Sequence, residues 1–269
     1  MIKTTGLNRN NNEQYYTNGD VADLCVQYTN NVFDLESFSY IIEPSAGTGA
    51  FLTPLQQYDC KVLSYDIDPK HSSILQMDYL KTDISPGNIL VIGNPPFGRQ
   101  SSLAKQFIKH SCKFARVIAF ILPKSFKKPS MYNAFHCNFH NVYTQDLEND
   151  SFIYRNQSYD VPCVFQIWER RDYDRIIPEK FVENEFYNIV KKSDNPDIAF
   201  RRVGVNAGKF TYSNFNNLSI ESHYFIKCKN LTGVSETQVN NIKWDTNNTT
   251  GPKSISRQEL IQKLNKIIT

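Results

Sequence analysis

Two short stretches of this chain, residues 88–93 (N-I-L-V-I-G) and 116–122 (R-V-I-A-F-I-L), run almost without a polar side chain. A strand with one wet face alternates apolar and polar positions. A strand with no polar position must be covered on both faces, as in parallel sheets sandwiched between helices. The surrounding pattern agrees. Residues 39–42 are β-rich and end at Glu43, a glycine turn follows, and residues 51–58 have helical character. Residues 61–65 read as a strand ending at Asp66, and residues 73–77 as a short one ending at Asp78. Residues 103–113 carry Leu103, Phe107, Ile108 and Cys112 at helical spacing. This βαβα rhythm predicts an α/β fold, a mostly parallel sheet with helices on both faces.

The rhythm changes after Pro123. Residues 142–147 and 161–168 read as longer, more alternating strands and predict an antiparallel pair at the sheet edge. Beyond residue 175 a small C-terminal α+β region is expected: a helix over 179–190 and strands over 198–203 and 223–227. Residues 230–253 are rich in Asn, Thr, Gly and Ser and read as a linker or long loop. A last helix is expected within 254–269. Ser256 and Glu259 fit a capping box, and Leu260, Leu264 and Ile267 supply an apolar stripe. The expected division is therefore 1–175, 176–229, 230–253 and 254–269.

The chain has 269 residues, 40% of them hydrophobic, enough for a sizeable core. No apolar run approaches the ~20 residues of a membrane span, and the polar first fourteen residues do not read as a secretory signal. A cytoplasmic protein is expected, with no membrane partner; a viral one would work in the host cytoplasm or nucleoid. Six scattered cysteines without a C-x-x-C pair read as reduced thiols. His136, Cys137 and His140 form a local cluster without a second pair at zinc spacing, so no metal is expected. Net charge is +3, and the positive excess lies after residue 123. That permits a nucleic-acid partner without arguing for one.

The segment Glu43-Pro44-Ser45-Ala46-Gly47-Thr48-Gly49-Ala50-Phe51 sits between a strand and a helix. Glycines there let the backbone approach a ligand, although a plain tight turn would look the same. Asp66, at the end of the next strand, is placed to accept both ribose hydroxyls of a nucleoside cofactor. Glu43 separates cofactor types. A carboxylate repels a pyrophosphate but suits the ammonium and sulfonium of S-adenosylmethionine. Gly204–Lys209 lacks the spacing of a phosphate loop and reads as a turn, with Lys209, Arg201 and Arg202 as candidate phosphate contacts.

Asn94-Pro95-Pro96-Phe97-Gly98 follows the first apolar strand directly. The structural alternative is a proline-fixed turn leaving a sheet. The chemical reading is specific. An amine on a planar ring is a poor nucleophile because its lone pair is delocalised. The Asn94 side-chain oxygen and the Pro95 carbonyl can each accept one of its N–H bonds, turning the lone pair toward a methyl donor. The prolines hold the carbonyl rigidly and Phe97 can stack on the ring.

Together, in this order, E-P-S-A-G-T-G-A-F and N-P-P-F-G resemble the class I S-adenosylmethionine-dependent methyltransferases acting on amino nitrogens. The likeness is greatest to the N6-adenine enzymes of restriction-modification and viral type. Glu13-Gln14-Tyr15-Tyr16-Thr17 resembles the family's segment that closes over the methionine end, with Asn18 where the family has Pro. Tyr65-Asp66-Ile67-Asp68-Pro69 and Met77-Asp78-Tyr79-Leu80 resemble its second and third motifs, and Leu122-Pro123-Lys124-Ser125-Phe126 the segment after the fifth strand. The resemblance covers roughly residues 13–170; residues 171–269 match no family pattern.

It implies a Rossmann-like class I methyltransferase sheet with an antiparallel edge strand, and S-adenosyl-L-methionine as cofactor. It implies cofactor contacts from Tyr15, Tyr16, Thr17, Glu43, Ser45, Ala46, Gly47, Gly49, Asp66, Ile67, Asp78, Tyr79 and Asn94, Asp78 taking the adenine amine. Asn94, Pro95 and Phe97 would be catalytic. Pro96, Gly98, Lys124, Phe126, Lys127, Lys128, Arg201 and Arg202 are candidate substrate contacts, and Phe126, Tyr154 or Tyr159 a second stacking face. An adenine in a duplex would have to be flipped out to reach Asn94. DNA is the preferred substrate. RNA adenine methylation, protein glutamine methylation and a silent nucleic-acid-binding subunit are the alternatives, and a partner subunit or homodimer stays open.

Overall fold

The computed structural model describes residues 16–148, 151–154, 157–159, 161–177, 179–229, 239, 241–244 and 253–268. Tyr15, and the side chains of Tyr154 and Tyr159, lie outside what is described. The chain divides into two compact units at Ile176/Ile177.

In the first unit the strands are β1 (Tyr16–Thr17), β2 (Tyr40–Glu43), β3 (Val62–Asp66), β4 (Leu75–Gln76), β5 (Ile89–Gly93), β6 (Val117–Pro123), β7 (Phe139–Asp146), β8 (Phe152–Tyr154), β9 (Gln157–Tyr159) and β10 (Cys163–Arg170). The helices are α1 (Gly19–Val32), α2 (Leu52–Leu55) and α3 (Ser102–Ser111). Seven strands form one sheet in the order β4-β3-β2-β5-β6-β10-β7. β2 to β6 are mutually parallel, and β10 runs antiparallel to both β6 and β7. This is the mostly parallel Rossmann-like sheet with an antiparallel pairing at one edge that the sequence pattern predicts.

Burial explains the two apolar runs. Every residue of β5 and β6 is buried. Leu90, Ile92, Ala119 and Ile121 pack with Ala22, Cys25 and Val26 of α1. Val91, Ile118 and Phe120 pack with Ala104, Phe107 and Ile108 of α3. Successive side chains of one strand thus feed two cores, which is why no position is polar. The helix expected over 51–58 shrinks to α2, whose Leu52, Pro54 and Leu55 are buried.

The order also creates a switch point. From β2 the chain builds outward through β3 and β4, then returns to place β5 on the other side of β2. Ligands bind in open α/β sheets where the order reverses, beyond the carboxyl ends of the strands. The glycine turn follows β2 and N-P-P-F-G follows β5, so the two motifs share one end of two paired strands. A separate small sheet, β1-β8-β9, joins the segment before α1 to the hairpin between β7 and β10.

The second unit contains β11 (Tyr187–Val190), β12 (Ile198–Arg201), β13 (Phe210–Thr211), β14 (His223–Cys228) and α4 (Arg257–Leu264). The strands form an antiparallel sheet in the order β11-β14-β12-β13. Tyr187, Ile198, Phe200 and Ile226 share a core with Leu260, Leu264 and Ile268, so the C-terminal helix belongs to the same unit as the sheet. Ser256 caps α4 in a capping box with Glu259, as its sequence predicts. Ile268 rather than Ile267 completes the buried stripe.

One expectation fails here, and a second is narrowed. Residues 179–190 form no helix: Tyr187–Val190 is a strand paired with β14, and Phe181 exchanges two hydrogen bonds with the Gln258 side chain. Pairing with a distant strand outweighs the weak helical spacing. Residues 230–253 are not simply a linker. Val239 is buried, and Ile242 and Trp244 pack on the second core. Trp244 lies against Gly208, where a Cβ would come within 2.6 Å of its ring. Apart from Asn241, Lys243 and Lys253, the other residues of that segment are outside the described set. Gly204 and Gly208 both take positive φ (96° and 98°), so Gly204–Lys209 is a turn.

All six cysteines are free thiols. His136 bonds Asn138 and His140 meets the Tyr173 carbonyl, and among the described residues no His, Cys, Asp and Glu group is arranged to hold a metal. No described helix is long and apolar enough to cross a membrane.

Candidate active site at the switch point

A pocket opens at the carboxyl ends of β2 and β5. Tyr16, Thr17, Glu43, Ser45, Gly47 and Asn94 line it, with Ala46, Thr48, Ala50 and Phe51. Residues from both motifs and from the segment before α1 therefore meet in one place.

Each wall has a local cause. Gly47 has φ 51°, and a Cβ there would sit 3.0 Å from the Tyr16 ring. Only glycine lets the turn pass under that ring. Gly49 has φ 84° and lies under Leu52. The Gly47 amide donates to Asp66 Oδ2 at 2.7 Å, and the Asp68 amide donates to Asp66 Oδ1 at 2.8 Å. Asp66 thus shapes both the glycine turn and its own loop, and each oxygen keeps a lone pair. Ile67 beside it is 70% exposed, an apolar face open to a ligand.

Glu43 is almost completely buried. Ser64, its register neighbour on β3, donates a 3.2 Å hydrogen bond to its Oε2. Burial, eased slightly by that bond and reinforced by the Asp66 charge, pushes the Glu43 carboxyl up to about 8. A cation brought into the pocket would favour its ionised form.

The second motif is fixed from several sides. Ser45 Oγ donates to the Asn94 carbonyl at 2.9 Å, tying the glycine turn to N-P-P-F-G across 49 residues. Pro95 is buried, whereas Pro96 and Gly98 are exposed. The Phe97 ring packs against both cores and its carbonyl accepts the amides of Leu103 and Ala104 at the start of α3. Beyond it, Gln100 and Ser101 take left-handed backbone (φ 53° and 60°), which costs on the order of 1 kcal/mol or more for each non-glycine residue.

Asn18 departs from the proline of the resembling motif, for a visible reason. Its N–H donates to the Ser151 carbonyl at 3.0 Å, a bond proline cannot make, and its side chain caps α1 by accepting from the Asp20 amide. β1 pairs with β8 directly above, so the hairpin holds Tyr16 and Thr17 over the glycine turn. Sequence reading missed this support because the pairing spans some 135 residues and leaves no local trace. Thr48, Ala50, Phe51 and Ser64 were legible only as neighbours of the named positions.

Other expected site residues fall elsewhere. Phe126 is fully buried in the α3-side core, and its carbonyl accepts from Gln166 Nε2, so it offers no stacking face. Tyr79 is likewise core: its ring stacks on Phe107 and its hydroxyl meets Ser111 at 2.6 Å. Both side chains are buried in the core shared with α3, and neither lines the pocket. Asp78 caps the turn at Tyr79–Lys81 by accepting the Leu80 amide, and it pairs with Lys81. Lys124 and Lys127 both pair with Asp146, fastening the segment after β6 to β7. Lys128 is half-buried nearby. Arg201 and Arg202 belong to the second unit, where Arg201 Nε donates to the Val203 carbonyl.

The chemistry of the pocket fits S-adenosylmethionine. A buried carboxyl group would ionise against an ammonium, a glycine turn leaves room for close backbone approach, and an acid at the end of β3 precedes an exposed apolar residue.

Residues 50–175 match the family model of the EDM2 methyltransferase-like domain, a span that runs from α2 through β10. Among solved structures, a presumed RNA methyltransferase of Pyrococcus horikoshii is similar at 16% identity and a TM-score of 0.46, over 59% of this chain and 87% of that one. The 23S rRNA methyltransferase ErmE gives 14%, 0.45, 62% and 72%. Magnesium protoporphyrin IX methyltransferase of Synechocystis, with bound S-adenosylmethionine, gives 12%, 0.42, 57% and 79%. These likenesses add nothing to the sheet order read from the chain itself. No curated protein matches the sequence. Sheet order, switch-point pocket and family match define an enzyme of the methyltransferase class.

Proposed function

We propose that this protein transfers a methyl group from S-adenosylmethionine to the N6 amine of adenine in nucleic acid, with DNA as the preferred form. The reading is carried by the Ser45–Asn94 hydrogen bond, which sets N-P-P-F-G against the glycine turn in a single pocket.

The cofactor supplies a methyl group already activated by its sulfonium. The chain's own part is orientation and exclusion of water. Glu43 receives the ammonium, and Asp66 accepts ribose hydroxyls on its remaining lone pairs. The Asn94 side chain and the Pro95 carbonyl accept the two N–H bonds of the target amine, holding its lone pair toward the methyl group. Phe97, anchored at its base by the two cores, meets the ring face. No strong base is required before attack, because the proton leaves after the carbon–nitrogen bond forms.

The test is methyl transfer from labelled cofactor to duplex DNA, single-stranded DNA, RNA and protein, with modified nucleosides identified by mass spectrometry. N6-methyldeoxyadenosine from DNA is expected. Asn94→Ala is expected to lower turnover by at least a hundredfold while cofactor affinity changes little. Transfer to RNA alone would move the substrate to RNA; transfer to glutamine, or turnover by Asn94→Ala near the parent rate, would overturn the proposal.

A further inference from the structure

The second unit carries a groove that the catalytic chemistry does not use. It is an open groove of about 510 Å³, in which Lys191, Lys192 and Arg257 stand beside the apolar side chains of Ile189, Ile220 and Tyr224. We infer that this groove binds a single-stranded segment of nucleic acid, phosphates on the cations and an unpaired base on the apolar floor. The inference deepens the nucleic-acid reading above and rests on it for the choice of polymer.

The charges favour a polyanion. Lys192 Nζ is held at 2.8 Å by the carbonyls of Asn216 and Leu218, which orient the ammonium without neutralising it. Arg257 pairs with Glu183 at 2.6 Å but remains half exposed. Lys191 is exposed, and the nearby Asp194 carboxylate accepts from its backbone N–H and from Ser193 Oγ. The Arg202 guanidinium lies 5.3 Å from the centre of the Tyr224 ring and adds a cation behind that wall. The bias extends to the whole unit. Residues 177–269 carry 13 Lys and Arg against 9 Asp and Glu, whereas residues 1–176 carry 17 against 18. All of the protein's positive excess therefore sits in the unit that holds the groove.

The floor selects the strand form. Ile220 is 65% exposed and lines the groove. With Ile189 and Tyr224, which also pack on the second core, it gives the groove an apolar floor. Bases in a duplex have both faces stacked, so only an unpaired base can use it.

The test is fluorescence anisotropy of the full chain with labelled 20-nucleotide single-stranded DNA, single-stranded RNA and duplex DNA, across a salt series. The single strands are expected to bind more tightly than the duplex, DNA and RNA differing by preference only. Lys191→Glu is expected to weaken single-strand binding by roughly tenfold and to flatten the salt slope by about 0.7 for the lost contact. Ile220→Asp is expected to weaken it similarly. Both positions are exposed, and unchanged melting temperatures confirm folding. Unchanged affinity in both groove variants, or tighter duplex than single-strand binding, overturns the groove assignment. Weakened binding in those variants by a protein that methylates no nucleic acid leaves the groove standing and removes the catalytic proposal instead.

Discussion

Glu43 is a carboxyl group placed where its charge has almost no solvent. In the folded chain it titrates near 8, against an ordinary value of 4.5 when exposed. Between those values the folded state holds a proton that the unfolded state has lost, so stability falls as pH rises from about 4.5 to about 8. Glu43→Gln removes this titration. Its melting temperature is expected to match the parent near pH 4 and to exceed it by a margin that grows up to about pH 8, as a pH series of thermal melts would show. Coincident curves throughout would remove the raised carboxyl. A bound ammonium needs the ionised form, so parent cofactor binding near pH 7 is expected to release a proton, readable by calorimetry in buffers of different ionisation enthalpy. Glu43 was legible as a candidate from its place at a strand end before a glycine turn. Its burial was not, because Ser64 and the covering layers come from other parts of the chain.

At the scale of elements, β2 and β5 each deliver a loop to the switch point, and Ser45 couples the two loops through the Asn94 carbonyl. Ser45→Ala is expected to lower kcat by roughly fivefold, the worth of one positioning hydrogen bond of about 1 kcal/mol, with little change in cofactor Kd. Ser45→Thr restores the hydroxyl and is expected to recover much of the rate. A loss confined to cofactor affinity would instead make Ser45 a ligand contact. The elements that position this site were the readable ones: β2, β3, β5, β6 and α3 follow their apolar periods closely. Residues 179–190 misled because a strand at a sheet edge can carry helix-like spacing, and β14 decides the matter. The hairpin β8–β9 that braces β1 has no signature at all until its partner is known.

At the scale of the molecule, each unit closes its own core, and the two tryptophans divide between them. Trp168 is buried in the first unit against Phe135, and Trp244 packs on Phe200 in the second. Trp244→Phe therefore leaves fluorescence reporting the first unit, and Trp168→Phe the second. Denaturant titrations of the two variants are expected to give different midpoints, since the cores differ in size. Identical midpoints would mean that the units unfold as one.

The amino-acid sequence by itself determined the kind of sheet and the two loops that carry the chemistry, because apolar period, glycine and proline act within a few residues of where they stand. Tertiary structure alone decided which side chains those loops expose. Phe126 and Tyr79 went into the core, Asn18 gained a partner at Ser151, and Trp244 closed the second unit. Burial and pairing depend on residues far apart in the chain, and no local pattern records which distant surface will arrive to cover a side chain.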